Sequence, residues 1–169
     1  QRVQAHGAKI AAQLHHGGLV AGYSHARWGH ALWGPALPKP PKGNFTEYFL
    51  MEELAGMAGY KPPEIKVLDQ ADIDLAVSQF AQGARRAKAA GFDGAEIHAG
   101  HGYLLSSFIS PITNTRSDGY GGNLQNRMRL LLEVIAAVRA EVGRDYPLWV
   151  KIDSREIGKP EGIGIEDAQ

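Results

Sequence analysis

Apolar residues recur at spacings of three and four at Ile73, Ala76, Val77, Phe80, Ala84 and Ala87, the stripe of one buried helix face. Asp69 precedes this stripe as an N-cap and Gly91 follows it as a stop, so a helix is predicted between them. A second stripe, Leu124, Met128, Leu131, Ile135, Val138 and Val142, predicts a helix over about 124 to 142, capped by Asn123 and ended by Gly143. Around these helices lie short apolar runs of strand length: Lys9 to Leu14 (KIAAQL), Gly94 to His98 (GAEIH) and Pro147 to Ile152 (PLWVKI). Ile165 to Ala168 reads as the start of a further helix. Residues 19 to 68 break the pattern: they hold six of the nine prolines and two of the three tryptophans, which predicts an irregular loop or lid with one short helix at Phe45 to Leu54.

Strand, long loop, helix, strand, loop, helix, strand is the repeating unit of a parallel α/β fold, produced alike by a barrel and by an open doubly wound sheet. No Gly-x-Gly-x-x-Gly follows any of the strands, which weakens the dinucleotide-binding version of the open sheet. With 169 residues, 44% of them hydrophobic, the chain reads as one globular domain over residues 1 to 169. Eighteen basic residues balance eighteen acidic ones, which gives no electrostatic reason to expect nucleic acid or an anionic membrane as partner. The absence of cysteine excludes disulfides, thiolate catalysis and iron-sulfur ligation within this segment. Neither a run of about 18 apolar residues nor a signal-peptide pattern is present, so a cytoplasmic location is the expectation. A start at Gln1 and an end at the opening of a helix lead us to expect a piece of a longer protein.

Alternation along strands decides which side chains can meet. Ala11 with Gln13, Glu96 with His98, and Trp149 with Lys151 each share a face, while Ile10 with Ala12, Ala95 with Ile97, and Leu148 with Val150 form apolar faces suited to packing under helices. Gln13, His98 and Lys151 then converge near the C-terminal ends of three strands, the end at which barrels build active sites. Read singly, Gln13 is a satisfied polar residue and Lys151 a counter-charge for Glu96. Together the amide, imidazole and ammonium suit a polar heterocycle or a carbonyl oxygen.

The stretch "EIHAGHGYLLSSFISP" after the second strand adds His101 and Tyr103. A metal reading needs a third ligand from His15, His16, His25, His30 or Asp153. The electrophilic reading asks less: two neighbouring imidazoles donate hydrogen bonds to one developing oxyanion. Tyr103 offers a phenol, an acid suited to a strongly basic carbanion or enolate, or else a ring used only for packing.

The segment from His98 resembles the signature region of the old yellow enzyme family, the FMN-dependent NADH:flavin oxidoreductases and ene-reductases. The resemblance rests on His98, His101, Gly102, Tyr103, Leu104, Phe108, Pro111, Asn114, Arg116, Asp118, Tyr120, Gly121, Gly122, Asn126 and Arg127, with QLHH at 13 to 16 and the VKI strand. It implies a (β/α)8 TIM barrel of which this chain covers roughly strands 3 to 5 with helices 3 and 4, the remaining strands and the FMN phosphate loops lying outside it. By the same resemblance Gln13 would contact the flavin pyrimidine ring, with His98 beside the cofactor, and Lys151 would sit near flavin N1 and the C2 carbonyl. His98 and His101 would bind the carbonyl oxygen of a small activated alkene. Hydride would pass from flavin N5 to the β-carbon, Tyr103 would protonate the α-carbon, and NADH or NADPH would be the reductant. Some members carry an iron-sulfur cluster and a C-terminal pyridine-nucleotide domain, which the resemblance leaves open for the full-length protein, as it does a homo-oligomer. Three positions depart from the family pattern: Leu19 and Lys151 stand where arginine is common, and Gln125 where glutamate is usual. A metal-dependent TIM-barrel hydrolase with His98 and His101 as ligands, and a noncatalytic barrel segment, are the competing readings.

Overall fold

The computed structural model describes residues 2–38 and 63–169. Strand β1 (Ala11–Leu14) leads into a 3-10 turn at Gly18–Val20, helix α1 (Gly22–Trp28) and strand β2 (Leu32–Gly34). Strand β3 (Ile65–Val67), helix α2 (Gln70–Ala89) and strand β4 (Gly94–Ala99) follow. The short helix α3 (Leu104–Ile109), the long helix α4 (Leu124–Val142), strand β5 (Leu148–Ile152) and helix α5 (Ile165–Ala168) complete the described elements.

The three main strands form one parallel sheet in the order β1-β4-β5. Its register sets Gln13 beside Glu96 and His98 beside Lys151. The apolar faces pack as their alternation requires: Ala95 and Ile97 are fully buried, and Leu14, Leu148 and Val150 join the core beneath the helices. Both long helices lie on that face of the sheet. The opposite face carries Gln13, Glu96, Lys151 and Trp149, all of them at least partly open to solvent. The apolar face packs under the helices, and the face that carries these polar side chains leads to the C-terminal ends of the strands, where a barrel builds its site.

Helix α2 begins where predicted, in a full capping box. Asp69 Oδ1 accepts from the Asp72 backbone N–H at 2.9 Å while Asp72 Oδ2 accepts from the Asp69 N–H at 3.2 Å, a pairing that contributes about 1 kcal/mol. Lys66 bridges to Asp72, tying β3 to the start of the helix. Helix α4 runs over the predicted span with Asn123 as its cap, but its buried stripe is Arg127, Leu130, Leu131, Val134, Val138 and Val142. Leu130 and Val134 are fully enclosed, whereas Met128 and Ile135, expected at the centre, flank it. The reading followed one row of the helix lattice, and the contact surface straddles two.

Two expectations need correcting. The stretch 19 to 68 is not irregular throughout: α1 occupies part of it, and β2 and β3 pair in parallel as a separate two-stranded sheet. Strands of three residues are too short for period-two alternation to register. The segment after Tyr103, read as loop, contains α3, whose six residues are all buried. A six-residue helix buried on every side, its two serines included, carries no apolar stripe to detect. The short helix expected at Phe45 to Leu54 lies outside the described residues. Among the described residues no helix is long and apolar enough to cross a membrane.

Candidate active site

Four rings gather at the C-terminal rim of β1 and β4. His98 ends the inward row of β4, and its ring centroid lies 4.8 Å from that of His101 and 4.9 Å from that of Tyr103, both roughly edge-on. His15 stacks on Tyr103 at 5.0 Å and lies 6.3 Å from His98. The predicted trio therefore meets in space, and His15 joins it. Sequence reasoning had weighed His15 only as a metal ligand. The only signal for its place was strand parity, since His15 follows Gln13 by two residues, but it lies one residue past the end of β1.

His98 is 3% exposed, and the Gly100 backbone N–H donates to its Nδ1 at 3.1 Å. An Nδ1 that accepts has no proton of its own, so the neutral ring carries its hydrogen on Nε2 and presents a donor there. Burial lowers the His98 pKa from its ordinary value, with the nearby His101, Lys151 and His15 acting in the same direction and Glu96 opposing them. The ring is thereby kept as a neutral donor at neutral pH. His16 is built the same way: Gly18 N–H donates to its Nδ1 at 3.1 Å, and burial followed by the neighbouring His15 lowers its pKa. His16 stacks on Trp33 at 5.0 Å, away from the His98 group.

Backbone contacts lock the two rim loops together. Leu104 N–H donates to His16 O at 3.0 Å, and a Cβ on Gly18 (φ +58°) would fall 2.7 Å from Leu104 N, so only glycine lets the β1 loop lie against the start of α3. Leu19, at the position where the family commonly has arginine, packs its side chain on Gly34 of β2. A cavity of about 560 Å³ opens beside this contact, lined in part by His15, His16, Ser24, His30 and Trp33.

Below the ring cluster, Glu96 accepts hydrogen bonds from Gln13 Nε2 and from Trp149 Nε1, the latter at 2.6 Å. These bonds, Gln13 first, hold its carboxyl below the usual carboxylate range. Glu96 is thus satisfied by Gln13 and Trp149, and Lys151 forms no salt bridge among the described residues. Lys151 still acts on Glu96 through its charge, which helps to lower the carboxyl's pKa, and it stands beside His98 in the register of β4 and β5. With its Nε2 engaged, Gln13 keeps its carbonyl oxygen open as an acceptor. No group of three His, Asp or Glu side chains among the described residues is placed to hold a metal ion, so none of those residues supplies a third ligand to His98 and His101.

The rest of the motif-rich segment is structural. Asn114 Nδ2 donates to Phe108 O at 2.6 Å and to Tyr120 O at 2.7 Å, and its Oδ1 accepts from Arg116 N–H at 3.1 Å. Arg116 reaches Pro35 O and Leu68 O through Nη1 and pairs with Asp118. Arg127 Nε donates to Ile109 O at 2.7 Å and its Nη1 to Gly122 O at 2.7 Å.

A parallel sheet with imidazole and phenol groups gathered above an amide and an ammonium is the arrangement expected of one wall of an α/β-barrel enzyme. The model of the NADH:flavin oxidoreductase / NADH oxidase family matches residues 1–169, and the chain belongs to that family. FMN and NADH or NADPH are the family's cofactors. The chain is 47% identical over 150 residues to the metal reductase of Desulforamulus reducens, covering 89% of this chain and 20% of that protein. It is 41% identical over 165 residues to the NADPH dehydrogenase of a Geobacillus species, covering 98% of this chain and 41% of the relative. A 2-naphthoyl-CoA reductase in complex with 2-naphthoyl-CoA superposes with a TM-score of 0.78 at 28% identity, over 98% of this chain and 24% of that one. The chain thus spans between about a fifth and two fifths of the relatives it matches. The resemblance read from the signature residues and the barrel fold it implied both hold.

The residues present fit a flavin. The Gln13 carbonyl oxygen is an acceptor for an imide N–H, and Lys151 is a cation for the electron-rich pyrimidine edge. Both stand on the open face of the sheet, in or beside the row that ends at His98.

Proposed function

We propose that this chain carries the substrate-polarising and proton-donating part of an FMN-dependent reductase of activated C=C bonds, acting on enones and enoates. The meeting of His98, His101 and Tyr103 at one rim, with His98 held neutral and its Nε2–H without a partner among the described residues, is the observation that supports it most. FMN, when bound and reduced by NADH or NADPH, supplies the hydride that the β-carbon of the alkene accepts.

The side chains here do the rest. His98 Nε2–H and the adjacent His101 donate to the carbonyl oxygen, drawing electron density from the conjugated alkene and stabilising the enolate oxygen as charge develops on it. A neutral donor suits this task, because it holds the oxyanion without surrendering a proton to it. Tyr103 supplies the proton for the α-carbon, and its phenolate is reprotonated from solvent, so the C=C bond gains one hydride and one proton. Gln13 and Lys151 orient the cofactor, and Lys151 also balances negative charge at its pyrimidine end.

The test is a two-stage flavin titration of the holoenzyme. Anaerobic NADPH or NADH bleaches the FMN absorbance band, and 2-cyclohexen-1-one restores it. A band that bleaches but does not return with any enone or enoate would defeat the proposal. The same two stages in His98→Ala and His101→Ala locate the effect: the second stage slows by on the order of 10²-fold in each.

A further inference from the structure

We infer that Asp153 is a positioning residue for the His98/His101 pair. It is the first residue past β5, and it reaches across to the loop after β4. The His101 backbone N–H donates to both carboxylate oxygens, at 3.0 Å to Oδ1 and 2.8 Å to Oδ2, and Ser106 Oγ donates to Oδ2 at 2.9 Å. Three donor contacts thus converge on one side chain.

The backbone held this way is costly. His101 has φ +61° and is the only non-glycine residue in the left-handed region among the described residues, a conformation that persists only where neighbours enforce it. Asp153 supplies that enforcement through the His101 N–H. Gly100 is shaped to the same contact: a Cβ there would lie 2.8 Å from Asp153 Oδ1 and 3.3 Å from its Cγ. The Gly100 N–H, in turn, fixes His98 through Nδ1. One carboxylate therefore sets the main chain from which His101 projects beside His98, and the same glycine serves both bonds. Among the described residues Asp153 bonds to the His101 backbone N–H and the Ser106 hydroxyl and to neither ring, so it acts through the backbone.

This inference rests on the polarising role proposed for the two histidines, and the experiment separates the two. In the FMN-loaded holoenzyme, Asp153→Ala displaces the His101 backbone amide and the His98 and His101 ring resonances in 1H-15N spectra. It also lowers kcat/KM for 2-cyclohexen-1-one by on the order of 10²-fold, the usual consequence of roughly 1 Å of misplacement. Asp153→Asn keeps an acceptor oxygen for the His101 N–H and recovers most of both signals. Gly100→Ala, which evicts the carboxylate without removing it, reproduces the Asp153→Ala spectrum, and the double variant is no worse than either single one. That second route keeps the test open should Asp153→Ala load FMN poorly. Resonances of His98 and His101 that stay at their wild-type positions in both variants overturn the inference. Resonances that move in a protein that never reduces an enone uphold it while defeating the enone reading.

Discussion

The rim after β4 and the connection between α3 and α4 both carry polar side chains, yet they use them in opposite ways. In the connection and the first turn of α4, Asn114, Arg116 and Arg127 direct their donors to backbone carbonyls or to acidic side chains of the protein itself. At the rim, Tyr103 Oη, His98 Nε2 and Lys151 Nζ have no hydrogen-bond partner among the described residues. Satisfied buried polar groups specify one structure, whereas open donors converging on one space are what a ligand uses. A single motif thus holds two functions, and the hydrogen-bond inventory tells them apart.

Tyr103→Phe should sharpen that contrast most. The ring stays against His15 and His98, so the fold and the thermal midpoint are retained, while enone-driven flavin reoxidation drops by roughly 10²- to 10⁴-fold. Flavin reduction by NADPH, which needs no proton from this phenol, stays near the wild-type rate. Rapid-mixing absorbance measurements of the two half-reactions decide the matter. Equal slowing of both would mean that Tyr103 shapes the pocket and is not the donor.

On the other side of the comparison, Asn114→Ala should cost stability and leave chemistry alone. It is 4% exposed, and its loss strands Phe108 O, Tyr120 O and Arg116 N–H in a buried place. The penalty should be about 3 kcal/mol, read as a lower urea midpoint. The KM for an enone should hardly move. A large rise in KM with an unchanged midpoint would erase the distinction between clamp and site.

Much of this was legible in the sequence, for reasons that follow from period and parity. Asp69 and Asn123 were readable as caps because a short side-chain acceptor ahead of an apolar stripe has one economical use. Gln13, His98 and Lys151 were readable as one row because alternation is rigid along a strand and parallel pairing carries it across. What stayed hidden depends on contacts with no local signature. Arg116 reaches carbonyls at Pro35 and Leu68, distant in sequence, and Asp153 reaches the loop after β4. His15 follows the same alternation, but it lies one residue past the end of β1, where strand parity no longer fixes a side chain's direction. Helix α3, buried on every side, offered no period at all.

The smallest expected effect lies in the acid dependence of stability, and it again divides rim from clamp. His16 and His98 both have pKa values lowered chiefly by burial, so the folded protein binds fewer protons than the unfolded chain once pH falls below the ordinary histidine value near 6.5. Stability then rises with pH across that window: it is level above about 6.5 and declines below it until the depressed folded values are passed. Glu96, Asp93 and Asp118 have lowered pKa values, Asp93 to about 2, so their contribution is present above the ordinary carboxylate range and lost only at more acid pH. Urea midpoints between about pH 7.5 and 5 therefore isolate the histidines. His98→Asn and His16→Asn should each flatten the slope in that interval, whatever they do to absolute stability. Asn114→Ala, which removes no titrating group, should lower the midpoint at every pH and leave the slope intact. A slope unchanged in both histidine variants would mean that their rings are not held neutral by burial, and His98 would then lose its standing as a neutral donor, although its Nε2–H still follows from the Gly100 N–H bond to Nδ1.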